Sequence, residues 1–226
     1  MWVKIAVLVL SLLTLGLTIA TRLPKRTIRK LTAEFDALKV EFATLEAKAE
    51  AVQDNLAAMF SGMLSEISEL IEFESNVSFR LTLYIHDARG YFYPCGRYAT
   101  NPNLISINRP KLPIDEGCIG HAWSTGSCYE GDMTPKLATT TYKVANKAYK
   151  EIYKCLRMQS KCYAGKLVRH NGEAIAVLLV EAIPPNSFKK DQVMTVLENR
   201  AAYLGRVIAV LKSHLPNPGS ANTDRY

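Results

Sequence analysis

Apolar residues fill positions 2 to 21 (WVKIAVLVLSLLTLGLTIAT), with Lys4 as the single charge. A run of that length matches the roughly 20 helical residues that cross the hydrocarbon core of a bilayer. Trp2 stands where an interfacial aromatic belongs, and Lys4 is close enough to one end to snorkel to the headgroups. A cleaved secretion signal would want a shorter apolar core and a small-x-small cleavage site. Here Thr18-Ile19-Ala20 runs into a basic stretch that suits translocation poorly, so an uncleaved anchor over 1–23 is expected. Arg22, Lys25, Arg26, Arg29 and Lys30 follow the span, and the positive-inside rule then leaves the remainder of the chain in the cytoplasm. The expected location is the inner or plasma membrane, crossed once.

The period then changes. Ile28, Phe35, Phe42, Ala49, Leu56 and Met63 alternate with Leu31, Leu38, Leu45, Val52 and Met59 at steps of three and four. These are the a and d positions of a coiled coil, expected over 24–70. No Pro or Gly interrupts Lys25 to Ser61. Glu34 would face Lys39 attractively across a parallel pair and Glu41 would face Glu46 repulsively, so charge alone does not set the oligomer. The step from Met63 to Ile67 reads as a stutter. A single helix packed on its own domain would explain Phe60 to Phe73, but would leave the ~40 Å before it uncovered. A parallel homodimer is the expectation.

From Ser78 the period becomes two. SFRLTLYIH alternates Phe79, Leu81, Leu83 and Ile85 with polar residues, as a half-buried strand does. YFYPCGRYA (91–99) reads as its hairpin partner, with Pro94 marking an edge or bulge. The proline-rich stretch 101–113 reads as a loop, 115–123 as a short helix, 127–132 as a strand and 142–157 as a helix. Strands over 162–168 and 174–183 flank Asn171-Gly172, a strong hairpin signal. A last helix runs from Phe188 to about Ser213 with Val193, Val196, Leu197, Leu204, Val207, Ile208 and Leu211 on one side. The tail, 214–226, lacks packing potential. The fold class is therefore α+β: a transmembrane helix, a coiled coil, then one domain over 71–213 with a central antiparallel sheet flanked by helices.

Composition adds bounds. The 226 residues are 48% hydrophobic and 22% charged, which is ordinary for globular chains. The net charge of +7 is local, concentrated after the span and between Lys143 and Lys166, and needs no nucleic acid to explain it. Five cysteines (Cys95, Cys118, Cys128, Cys155 and Cys162) are odd in number and contain no CxxC pair, which fits a reducing compartment and argues against a disulfide framework or a zinc site.

Gly96-Arg97-Tyr98 with Asn101-Pro102, the segment Pro113-Ile114-Asp115-Glu116-Gly117-Cys118-Ile119-Gly120-His121-Ala122-Trp123, and Gly172 to Glu181 followed by Phe188-Lys189-Lys190-Asp191 together resemble the GAF family of small-molecule sensor domains. Ala176 stands where that family commonly has Gly. The resemblance covers about Phe60 to Leu211 and implies a ligand pocket on the sheet. It does not supply a ligand. The nucleotide-binding members carry an Asn-Lys…Phe…Asp-Glu signature, which Asn146-Lys147 matches only at its start. Bilin-carrying members have Cys followed by His, whereas Cys155 precedes Leu156. The sulfoxide-reducing members place a cysteine inside a G-x-C-G turn, where this chain has Ile119 and carries Cys118 one residue earlier. No cofactor is expected, and His121 alone does not make a haem site.

Tyr93, Arg97, Trp123, Tyr129, Tyr149 and Tyr163 are the aromatic and polar residues expected near the pocket. Lys143, Lys147, Lys150, Lys154 and Arg157 form a basic stripe at helical spacing, suited to an anionic surface. The leading expectation is a non-enzymatic membrane-tethered sensor, whose pocket alters dimer geometry and signals to a separate downstream protein. The alternatives are a scaffold that uses the domain for docking and, more weakly, a thiol-based redox enzyme.

Overall fold

Alternation builds the sheet. Successive side chains on a strand leave opposite faces. Phe79, Leu81, Leu83 and Ile85 of β1 (Phe79–His86) join one core, while Tyr84 belongs to another. The computed structural model describes residues 25–87, 89–105, 112–115, 117–133, 158–212 and 215. A long helix, α1 (Lys25–Glu69), precedes β1. After β1 come β2 (Tyr91–Ala99), a 3-10 turn (Pro102–Leu104), β3 (Leu112–Pro113), α2 (Gly117–Thr125) and β4 (Ser127–Glu130). The chain closes with β5 (Cys162–His170), β6 (Glu173–Ala182) and α3 (Lys190–Leu211). The sheet order is β3-β2-β1-β6-β5-β4 and every neighbour pair is antiparallel.

Two compact units result, Met1–Ala51 and Val52–Tyr226. In the second, Phe60, Leu64, Ile67 and Ile71 pack with Val193, Leu197, Ala201, Leu204 and Ile208 of α3 against the first sheet face. Burying each such large side chain is worth about 1.5–3 kcal/mol. Gln192 Nε2 donates to Leu70 O at 2.7 Å and Glu74 N donates to Ser187 O at 3.0 Å. Phe73 stacks on Phe79 with ring centroids 3.7 Å apart. The exit of α1 and the entry of α3 are thereby tied together. Asn171 and Gly172 take φ values of 50° and 83°, the left-handed pair that a two-residue hairpin turn requires.

The helix expected over 24–70 is present as α1, and the part of its apolar stripe that lies in the first unit is bare. Leu31, Phe35, Leu38, Phe42 and Leu45 are all more than half exposed. Lys39 Nζ sits 4.7 Å from the centroid of the Phe35 ring, and Lys30 pairs with Glu34 at 3.8 Å.

The loop expected over 101–113 contains more order than its prolines suggested. Asn101 accepts a hydrogen bond from Asn103 N and so caps the 3-10 turn, and β3 pairs with Tyr91 and Phe92. The short helix begins at Gly117 (φ +63°) and not at Asp115. No helix among the described residues is long and apolar enough to cross a membrane. The span expected over 2–21, the helix over 142–157 with its basic stripe from Lys143 to Arg157, and the tail other than Leu215 lie outside the described residues.

Candidate functional site

The second sheet face is buried too, and it carries polar side chains. Thr82 is fully buried, and Arg97 and Glu181 are each 7% exposed. The register explains how they meet. Thr82 pairs with Arg97 on β2 and with Leu179 on β6, while Arg80 pairs with Ala99 and Glu181. Glu181 in turn pairs with Tyr163, and Tyr163 with Glu130. Arg97 Nε donates to Thr82 Oγ1 at 3.0 Å and its Nη2 to Tyr84 Oη at 3.4 Å. Arg80 Nε donates to Glu181 Oε2 at 2.5 Å. Burial works against the Arg80 charge, but the Glu181 carboxylate, together with Tyr84 and Tyr163, outweighs it and holds the guanidinium above its ordinary range. Tyr163 Oη donates to Ser160 O at 2.9 Å. The face thus offers a guanidinium, hydroxyls and an ion pair on an otherwise apolar floor.

α2 covers part of that floor. Cys118, Ile119 and Ala122 pack with Cys128, Leu167 and Leu179. The Trp123 ring lies 4.4 Å from His86 and 5.3 Å from Phe92, centroid to centroid. Ala99, Leu104 and Met158 form a small apolar cluster of their own.

His86 Nε2 is buried without a hydrogen-bond partner. Burial lowers the pKa of His86, and Asp87 only partly counters it. The folded imidazole is then harder to protonate than the unfolded one. Lowering the pH through about 6.5, the ordinary imidazole value, loads protons on the unfolded chain first and costs stability. The expected result is a melting temperature that drops as pH falls from about 7 toward about 5, with the slope reduced in His86→Phe. An equal slope in that variant would assign the drop to other groups.

Among the described cysteines, three are held as thiols by their surroundings. Burial pushes Cys95, Cys118 and Cys162 up, and for Cys118 the hydrogen bond with Cys128 adds to the effect. Cys95 is the extra residue at the β2 bulge, where the register shifts between Leu83 and Tyr84. Among the described residues no group of three or more His, Cys, Asp or Glu is placed to hold a metal.

Of the residues expected near the pocket, the structure places Arg97, Tyr163 and Trp123 on the second face. It places Tyr93 and Tyr129 on the other. Tyr93 pairs with Ile85, which packs into the first core, and the Tyr93 hydroxyl bonds to Asp87. Tyr129 packs on the first core and donates to Phe188 O at 3.1 Å. Tyr149 and the stripe Lys143, Lys147, Lys150, Lys154 and Arg157 lie outside the described residues. Thr82, Tyr84, Arg80 and Glu181 were missed. For three of them the signal was present: Arg80, Thr82 and Tyr84 are the polar half of the alternation in β1, whereas Glu181 lies on β6. A groove lined by Asp191, Met194, Thr195, Glu198 and Asn199 runs along α3 and is open to solvent.

The chain has a GAF-like α+β fold, in which an antiparallel six-stranded sheet carries helices, as the resemblance implied. No protein-family model and no curated protein matches its sequence. Solved structures similar to it include the GAF domain of an Acinetobacter phosphoenolpyruvate-protein phosphotransferase. That match has 17% identity, covers 72% of this chain and 84% of that one, and has a TM-score of 0.47. The corresponding domain from Coxiella burnetii is similar at 14% identity, with coverage of 76% and 92% and a TM-score of 0.48. The type II free methionine-R-sulfoxide reductase of Thermoplasma acidophilum is similar at 13% identity, with coverage of 70% and 96% and a TM-score of 0.49. The last of these corrects one expectation. A non-enzymatic domain does not follow from the fold, because an enzyme is among the structures it resembles.

Proposed function

We propose that the chain is a membrane-tethered sensory protein that takes up a small molecule over the polar floor of its second sheet face. The carrying observation is the row formed by Arg97, Thr82 and Tyr84 beside the Arg80–Glu181 pair. Polar side chains withdrawn from water are costly unless bonded. A few convergent polar groups in an apolar setting are the usual make-up of a small-molecule site. Arg97 and Thr82 fix the polar end of the ligand, and Ala99, Leu104 and Met158 supply apolar contact. Support for the tether comes from the apolar run at 2–21 and its basic flank.

The test is ligand-dependent stabilisation of the full-length protein in detergent. A ligand at one hundred times its Kd raises stability by about 2.7 kcal/mol. The expected result is a small molecule retained in native mass spectrometry, a melting temperature that rises when it is added back, and loss of that rise in Thr82→Val. If no metabolite fraction shifts the melting temperature and nothing co-purifies, the site reading fails.

The same proposal assigns the bare stripe of α1 to a second copy in a parallel coiled coil. Leu38→Glu with Leu45→Glu is expected to convert a dimer to a monomer in sedimentation of the detergent-solubilised protein. A wild-type protein that is already monomeric would remove the dimer from the account.

A further inference from the structure

Cys118 lies in the first turn of α2 and Cys128 on β4, and their thiols are hydrogen-bonded to each other. Backbone geometry places them together independently. Cys128 is the register partner of Gly165 on β5. Cys118 Sγ lies 3.5 Å from the point where a Cβ on Gly165 would stand. The missing side chain of Gly165 therefore leaves room for the Cys118 sulfur beside the strand position that Cys128 faces. The two cysteines are 6% and 4% exposed, among Ile119, Ala122, Tyr163 and Leu179. The ligand floor makes no use of them.

The surroundings select among the reactions open to a thiol pair. A soft metal ion would require both thiols to be deprotonated, leaving charge in an apolar place. Glu181 and Glu130 add negative potential there. A disulfide is neutral and needs no such compensation. We propose that Cys118 and Cys128 form a dithiol–disulfide couple, a redox modification site that takes hydroperoxides as its oxidant. One thiol, as thiolate, attacks the peroxide oxygen. The O–O bond breaks, the thiol becomes a sulfenic acid, and the other oxygen leaves as water or an alcohol. The second thiol then attacks the sulfenic sulfur, the S–S bond forms and water departs. Two electrons pass from the thiol pair to the peroxide. A small dithiol restores the pair by thiol–disulfide exchange. The new bond ties α2 to β4 and constrains the unfolded chain, so the oxidised protein melts at a higher temperature.

The inference stands apart from the ligand reading and has its own test. Lys111 and Lys136 bound one tryptic peptide that carries both cysteines, and chymotrypsin cuts it after Trp123, between them. The full-length protein in detergent is treated with hydrogen peroxide, digested with both proteases and weighed. The expected product is a linked pair of fragments, lighter by two hydrogen atoms and separated by dithiothreitol. Because a protonated thiol is unreactive, the linkage should form roughly tenfold faster per pH unit as pH rises from about 7. Cys118→Ser and Cys128→Ser should each abolish it, and Cys162→Ser should leave it intact. Fragments that keep their full mass while other cysteines oxidise would overturn the proposal. So would a rate independent of pH. The wild-type measurement decides the matter even where a serine variant fails to fold.

Discussion

Glu181→Leu on its own is expected to cost the domain about 3–5 kcal/mol, because it leaves Arg80 charged and unpaired in the sheet. The side chains of the pair are 13% and 9% exposed, so water cannot take the place of the carboxylate. A domain of this size loses roughly 2–4 °C per kcal/mol, so the melting temperature should drop by roughly 6–20 °C. Removing both charges is a different experiment. An apolar pair of similar volume is often neutral or stabilising where a single deletion is harmful, so Arg80→Leu with Glu181→Leu should regain most of the loss. Urea titration of the single and double variants, with unchanged slope, measures the difference. A double variant as unstable as the single would show that the charges do more than neutralise each other. It would also make them the first candidates for ligand contact, since Arg80 and Glu181 share their face with Thr82 and Arg97.

The outline of this sheet was legible because alternation and turn chemistry are local. β2 runs over the predicted residues 91–99, and the Asn171-Gly172 turn falls where its φ demand placed it. What was not legible is non-local. In the order β3-β2-β1-β6-β5-β4, β1 lies between β2 and β6, strands far apart in sequence. No periodicity within β1 announces that neighbour. The same gap explains the site. Arg80, Thr82, Tyr84 and His86 alternate with apolar residues, and alternation shows that two faces differ in chemistry. It does not show that the polar one is wet. Here α2 covers part of it, and Thr82 is fully buried. Residue parity would have corrected the aromatic list, had the bulge at Cys95 been known. Beyond that bulge Arg97 faces Thr82 on the second face, whereas Tyr93, before it, faces Ile85 on the first.

Gly205→Ala is expected to destabilise by about 2–4 kcal/mol, against the sign that helix propensity assigns to the change. Within a helix, Ala is better than Gly by about 1 kcal/mol. At this point of α3, however, a Cβ would stand 2.2 Å from the carbonyl oxygen of Arg169 and 3.1 Å from its carbonyl carbon. Those atoms are backbone, at the end of β5 where the pairing with β6 shifts register between Val168 and Arg169. No rotamer change relieves such a contact, so helix and hairpin must separate. Leu204 and Ile208, buried on either side of Gly205, would lose part of their packing with them. Gly62 is the matched control. It lies within α1, is exposed and has nothing within 4 Å of its Cβ position. Gly62→Ala should therefore gain about 0.5–1 kcal/mol. Thermal melts of the two variants separate propensity from packing. Opposite signs place the α3 backbone directly on the β5–β6 hairpin. Two gains would mean that α3 is held by its apolar side chains alone, and the first core would then tolerate a sliding helix.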